Sequence, residues 1–299
     1  VACFGGITIV ILEGLSGRLL PGIVHLERSA KAGGRLEQPI TYWNGEGALA
    51  AIGLVLCAHV AGDRDRPAWM RALAAACCAP LGAGVYLTIS RGAIAAGVVG
   101  LLILLAAIPH YRQLRAVLLA LGVAIAAAIV SSVPAVSSLD GSLASREADA
   151  AVVLAVLALL MGGAASITVW LARLEDRDGD LRQGLLPHAA RLPLLAGAVT
   201  ALVVVGLVVG GLREHGGNTD LSTGASRLTS VSSNRYAYWK LGVQTFADHP
   251  LKGVGAGGFR VVWLRERPIA EGVNEVHSLE LEMANELGLP GLLAFLLLL

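Results

Sequence analysis

The sequence predicts an all-α polytopic membrane protein: a bundle of apolar helices with one large extracytoplasmic loop that carries two short helices. Three observations carry that expectation. Of 299 residues, 55% are hydrophobic and only 15% are charged, whereas soluble domains run at about 25% charged. Apolar runs recur along the whole chain at close to the length of a bilayer crossing. The polar residues are concentrated in one interval, 213–285. The net charge of +1 gives no electrostatic footprint for nucleic acid, so no nucleic-acid partner is expected.

The runs fall at about 1–17, 44–61, 72–90, 92–109, 116–133, 151–171, 192–212 and 286–299. An 18-residue helix spans roughly 27 Å, against a hydrocarbon core of about 30 Å. The reading is about eight spans in a single membrane domain over 1–299. The chain begins at Val1 inside one apolar run and ends in AFLLLL inside another. It is therefore expected to be a fragment at both ends, with incomplete terminal spans. The first run lacks a basic leader and a small-residue cleavage site, so it reads as a span and not a signal peptide. Abundant Ala and Gly favour close helix packing. Cys3, Cys57, Cys77 and Cys78 all sit in apolar runs and are expected to pack as small apolar side chains.

Basic residues in short loops orient the spans. Nine arginines lie in the loops 62–71, 110–115 and 172–191, against six Lys/Arg on the alternate side once the long interval is set aside. That bias places the three loops in the cytoplasm, and Arg91 and the large loop outside.

In the first outer loop, Thr41-Tyr42-Trp43-Asn44 suits an interfacial anchor. Glu13 and Glu46 lie near outer ends of spans, where a carboxylate can reach water. Arg91, in Ser90-Arg91-Gly92, has about 18 apolar residues on either side. It is pinned at the mouth of a tight hairpin, as a topological charge or a ligand-binding one. In the loop 172–191, EDRDGDLR has its glycine at the fourth position and no Glu at the twelfth, which excludes a calcium loop.

Within the large loop, 213–231 is rich in Gly, Ser and Thr and reads as irregular. A helix then follows, capped by Ser232 or Ser233. Tyr236, Trp239, Val243 and Phe246 form its apolar stripe, and Asp248-His249-Pro250 stops it. Such a helix would lie along the membrane surface. Arg235 stands at its N-terminal end, where backbone N–H groups favour anions. The run GVGAGG (253–258) follows no strand and opens no βαβ unit, so it reads as a close-packed turn and not a dinucleotide site. A second helix is expected over about 274–287. His277, Leu281 and Ala284 would share one face, with Glu280 three residues on to orient the imidazole.

Four stretches in order, TYWNGEGALAA, YLTISRGAIAA, SSNRYAYWKLGVQTFADHPLKGVGAGGFR and VHSLELEMANELGLPG, resemble the bacterial O-antigen ligase and polymerase superfamily, which includes protein O-oligosaccharyltransferases. The resemblance covers most of the chain from Tyr42 onward; its specific part is the last two stretches. It implies a GT-C-type glycosyltransferase, multi-pass in the bacterial inner membrane, with its active loop extracytoplasmic. The implied donor is a glycan on undecaprenyl diphosphate. The acceptor is a hydroxyl on a glycan, a lipid-linked core or a protein. No cofactor and no metal are implied. The family's SRG arginine falls on Arg91, its helix-start arginine on Arg235 and its HS-motif histidine on His277. Many relatives have Tyr where this chain has Glu280, which bears on acceptor contact.

That mapping is chemically coherent. Without a metal, guanidinium groups are suited to a diphosphate leaving group, and histidine suits removal of a hydroxyl proton near neutral pH. Two readings from other classes compete: a polyisoprenoid or sugar transporter, which would concentrate ionisable residues at mid-membrane, and a non-catalytic scaffold, which would tolerate loss of His277.

Overall fold

The computed structural model describes residues 2–29, 32–177 and 235–298. All regular structure among them is helical, as the sequence predicts. The expected span at 192–212, the loop 213–231, the caps Ser232 and Ser233 and the acidic loop beyond Arg177 lie outside the described residues. The described residues belong to two compact units, one up to residue 177 and the other over 235–298.

The first unit holds α1 (Ala2–Leu19), α2 (Trp43–Gly62), α3 (Ala68–Leu87), α4 (Arg91–Ala107), α5 (Tyr111–Val130), the short α6 (Pro134–Ser137) and α7 (Leu143–Arg177). Helices α2, α3, α5 and α7 are long and apolar enough to cross a membrane, and α4 is a shorter apolar helix. Together with one helix of the second unit they make this a multi-pass membrane protein.

α3 packs against α2, α5 and α7. Small residues allow it. A Cβ on Gly82 would sit 2.4 Å from the Ala124 Cα, and one on Gly53 would meet the Leu81 side chain at 2.9 Å. Close approach of this kind is how apolar helices gain packing energy in lipid. Cys57, Cys77 and Cys78 are buried free thiols in that packing, and Cys3 is exposed.

Two boundaries move from their expected places. α5 begins at Tyr111 and not at 116. α7 runs for 35 residues, well beyond the apolar run 151–171; at 1.5 Å per residue that is about 52 Å, longer than a bilayer core. The added turns carry Arg146, Glu147 and Asp149, which hydropathy reads as loop but helix propensity tolerates. Three arginines counted as loop charges are structural ties. Arg18 is buried and donates to the carbonyls of Val136 (2.8 Å) and Ser137 (3.1 Å). Arg71 and Arg115 reach Glu175 of α7 at 3.1 and 3.5 Å.

The second unit holds α8 (Arg235–Asp248), α9 (Gly258–Glu266) and α10 (Leu279–Leu298). Its core is Tyr238, Leu241, Phe259, Trp263, Val273 and Val276. α8 stops at Asp248, as expected. The face it buries within the unit is Tyr238, Leu241, Gly242 and Thr245; of the expected apolar stripe, Trp239 packs against the core. Tyr236 and Val243 of that stripe are exposed. The face chosen is less apolar but packs better: Gly242 lets Val276 approach, since a Cβ there would meet the Val276 Cγ1 at 3.0 Å, and the Thr245 hydroxyl donates to the Leu241 carbonyl at 2.8 Å.

The expected helix over 274–287 and the span 286–299 are two helical stretches that meet at a break at Gly288, together designated α10. α10 starts at Leu279, kinks at Gly288 (φ 67°, ψ −165°) and contains Pro290. The Gly-rich turn braces this kink. Val254 N–H donates to the Asn285 carbonyl and Gly255 N–H to the Glu286 carbonyl, both at 2.9 Å. Gly253 (φ 62°) lies so close that a Cβ would stand 2.4 Å from the Glu286 carbonyl carbon. Main-chain packing thus accounts for this glycine run, as expected from its lack of a preceding strand.

Candidate active site

Two turns carry the residues that the sequence singles out, one in each unit. In the first unit, Thr88-Ile89-Ser90 links α3 to α4. Thr88 is fully buried and its hydroxyl donates to the Val85 carbonyl at 2.8 Å. Ile89 takes φ 50°, a left-handed conformation that is an outlier for a β-branched residue. Ser90 is the N-cap of α4: its Oγ accepts from Ala93 N–H at 3.3 Å and donates to the Asn44 Oδ1 at 3.0 Å. Arg91 is therefore the first residue of α4, half-exposed at the helix start.

This turn joins two of the quoted stretches. A Cβ on Gly47 would meet the Thr88 Oγ1 at 2.6 Å and the Ser90 Cβ at 3.2 Å. Asn44 and Gly47 thus hold the start of α2 against the Arg91 turn. Beside them, the Arg35 guanidinium lies 4.2 Å from the ring centre of Trp43, within cation–π range. Glu46 is fully buried in the same turn of α2 and Glu13 is exposed.

In the second unit the turn is Val276-His277-Ser278. Val276 is fully buried in the core. His277 takes φ 60° and so emerges from that anchor with its ring beside Tyr238, at 5.4 Å between ring centres. A left-handed non-glycine residue costs of order 1–3 kcal/mol and persists only where its surroundings enforce it. Ser278 then caps α10: its Oγ accepts from Leu281 N–H at 3.4 Å, and its carbonyl accepts from Glu282 N–H at 2.9 Å.

His277 thus precedes α10 and shares no helical face with Leu281 or Ala284, because the left-handed residue and the serine cap set the helix start at Leu279. Glu280 lies in the first turn, where its Oε2 accepts from the Ser278 hydroxyl at 2.8 Å. The charges that shift the His277 pKa are those of Arg235, Glu275 and Glu271, and not that of Glu280.

The charges that act on His277 come from elsewhere in the unit. Partial burial and the positive charge of Arg235 pull its pKa below the usual 6.5, against smaller upward contributions from Glu275 and Glu271. The imidazole is consequently neutral at neutral pH and able to accept a proton. Arg235, at the start of described α8, also acts on Tyr238. Burial and the Glu271 carboxylate push the Tyr238 phenol pKa up, so the phenol keeps its proton and donates to the Glu271 Oε2 at 2.6 Å. Glu271 is itself fixed, its carbonyl accepting from the Trp263 Nε1 at 2.7 Å.

The second unit therefore gathers Arg235, Tyr238, Glu271, Glu275 and His277. Sequence reading found the first and the last. Glu271 and Glu275 lie outside the quoted stretches, and Tyr238, within one of them, has no chemical pattern of its own beyond standing three residues, one helical turn, from Arg235. Arg260, Arg265 and Arg267 are exposed, which fits their expected place in water or headgroups; Arg227 lies outside the described residues. No group of three or more His, Cys, Asp or Glu suited to a metal occurs among the described residues.

A family model described as O-antigen ligase matches residues 150–296. That interval covers α7 from residue 150 onward and the described second unit as far as residue 296 in α10. No curated protein and no solved structure matches the chain.

Proposed function

Since this chain belongs to the O-antigen ligase family, whose members assemble cell-surface glycans, we propose that it transfers a glycan from undecaprenyl diphosphate to an acceptor hydroxyl at the outer face of the bacterial inner membrane. The carrying observation is His277: an exposed histidine in a left-handed turn with its ring beside Tyr238, its pKa lowered by partial desolvation and Arg235.

The reaction is a direct displacement with inversion. The acceptor oxygen forms a bond to the anomeric carbon while the bond from that carbon to the diphosphate oxygen breaks. The acceptor proton passes to the neutral His277 imidazole. The bonding electron pair leaves with the diphosphate, whose growing charge Arg91 and Arg235 offset. Guanidinium groups present a fixed fork of donors to phosphate oxygens, and help most where charge develops in the transition state. Tyr238 and Glu271 position the His277 ring.

A ligase, a polymerase and a protein O-oligosaccharyltransferase share this donor chemistry and differ in the acceptor. The test is transfer from a polyprenyl-diphosphate-linked glycan in reconstituted membranes. His277→Ala is expected to lose about 10²- to 10⁴-fold in rate, and an unchanged rate at equal protein level sinks the assignment. Mass spectrometry of the wild-type product identifies the acceptor. Movement of the carrier across the membrane without any new glycosidic bond would point to a transporter.

A further inference from the structure

We propose that the first unit holds a phosphate-binding site at the end of α4 remote from Arg91. Arg91 opens α4, and the 17-residue helix leads to the α4–α5 turn, about 25 Å away at 1.5 Å per residue. There, the end of α2, the link to α3 and the start of α5 enclose a cavity of about 160 Å³. His59, Asp63, Arg64, His110, Arg112 and Gln113 line it.

The observation that points to a ligand is a set of buried nitrogens with nothing to bind. Arg112 Nε and Nη1, His59 Nδ1 and His110 Nδ1 are shielded from solvent and have no hydrogen-bond partner among the described residues. Buried polar atoms are nearly always satisfied, and an unmatched guanidinium is among the costliest exceptions. Three residues that line one cavity carry these four atoms, a donor set suited to a shared acceptor.

The nearby carboxylates do not serve. Both oxygens of Glu175 are taken, by Arg71 at 3.1 Å and Arg115 at 3.5 Å. Asp63 accepts from Arg66 at 3.2 Å and from the Asp65 N–H at 3.0 Å. Asp65 also lines the cavity, at its exposed rim.

The floor is rigid. Gln113 is buried and donates to the Ala58 carbonyl at 2.9 Å, and a Cβ on Gly62 would collide with the Gln113 Oε1 at 2.6 Å. An anion with several acceptor oxygens fits: one arginine offers two directed N–H groups, and each imidazole can donate from Nδ1. The cavity has room for several waters, hence for a phosphate group but not a glycan. It opens where α2 and α4 end and α5 begins, at one end of these apolar helices. The phosphate therefore belongs either to a phospholipid headgroup or to a free phosphate ion. This site is independent of the proposed glycan transfer.

The experiment uses the purified full chain, stripped of lipid in detergent. Inorganic phosphate is titrated by calorimetry, and phosphatidylglycerol is added and followed by native mass spectrometry. Either probe is expected to bind. Arg112→Gln should weaken it at least about tenfold, as expected for loss of a charged hydrogen-bonding group, and Arg112→Lys should restore part of the loss. Phosphatidylglycerol retained without a response to inorganic phosphate identifies a lipid site; the reverse identifies a free-ion site. If Arg112→Gln does not fold, His110→Ala gives the same reading. Binding of neither probe by the wild type, or equal binding by the folded variants, overturns the proposal.

Discussion

The Arg91 turn and the His277 turn are built alike and put their key residue in different places. Each begins with a fully buried anchor, Thr88 or Val276. Each continues with a left-handed non-glycine residue, Ile89 at φ 50° or His277 at φ 60°. Each then uses a serine to cap the next helix, Ser90 to Ala93 N–H and Ser278 to Leu281 N–H. In the first turn the left-handed residue is apolar and the functional candidate, Arg91, follows the cap as the first helical residue. In the second, the left-handed residue is itself the candidate. The serines of SRG and HS thus cap the helices that follow, while the arginine and histidine beside them are the residues to which the proposed reaction assigns chemistry. A cap followed by a guanidinium puts positive charge and backbone donors at one helix start. A strained residue before a cap holds an imidazole out of the helix, where an acceptor can reach it.

Glycine replacement separates the two turns most sharply. Glycine adopts positive φ at no steric cost, so Ile89→Gly and His277→Gly both relax a turn. His277→Gly is expected to lose about 10²- to 10⁴-fold in glycan transfer through loss of the base. Ile89→Gly should retain wild-type transfer and leave thermal stability within about 1 kcal/mol, because relief of strain offsets the entropy that glycine adds to the unfolded chain. Equal loss from both changes would mean that turn geometry, and not the imidazole, sets the rate.

The second contrast is between base and charge. Arg91→Gln removes a cation but no proton acceptor. It should raise the apparent KM for the diphosphate-linked donor by about 10- to 100-fold, the scale of one charged hydrogen-bonding group, with a smaller change in the plateau rate than His277→Ala gives. Arg91→Lys should recover only part of this, since an ammonium lacks the planar fork. An unaltered donor KM in Arg91→Gln takes this arginine out of the diphosphate site.

Both candidate residues were legible in the sequence because motif and chemistry coincide there. Arg91 stands alone between two apolar runs, and His277 and Arg235 lie in the one polar interval. What could not be read was how the second unit folds around them. Glu280 sits at a spacing that suits a helical pair with His277, yet the left-handed His277 delays the helix start to Leu279, two positions later. No side-chain pattern announces a positive φ at histidine. The face that α8 buries within the unit escaped for a related reason. Hydrophobicity favours Tyr236 and Val243, but shape favours the face where Gly242 admits Val276 and Tyr238 reaches Glu271. Glu271 is 33 residues from Tyr238, a contact that only tertiary structure creates. In the first unit, by contrast, the four helices long and apolar enough to cross a membrane were legible from hydropathy, while charged helix ends such as Arg146–Asp149 of α7 escaped.

The two serines offer a smaller test of the shared design. Ser90→Ala and Ser278→Ala each remove an N-cap acceptor and should cost about 1 kcal/mol of stability, read as a lowered midpoint of thermal unfolding. Ser278→Ala also frees the Glu280 carboxylate. If Glu280 then acts directly on the neighbouring imidazole, the pH profile of transfer will move as well as the midpoint. A pure cap leaves that profile in place.

The finest distinction is electrostatic and belongs to the second turn alone. Arg235 lowers the His277 pKa, while Glu275 and Glu271 raise it. Transfer needs the neutral imidazole, so the rate should rise with pH through the His277 pKa, below the usual histidine range, and then level off. Glu275→Gln removes a negative charge that favours the imidazolium. The pKa should fall further and the acidic limb should shift to lower pH, by a fraction of a unit, with little change in the plateau rate. Replacing Arg235 should move the limb the other way while also weakening donor binding. Opposite shifts from the two variants, with only Arg235 affecting donor KM, would establish that one cation serves both the leaving group and the base. A limb that ignores both charges would mean that the titrating group is not His277.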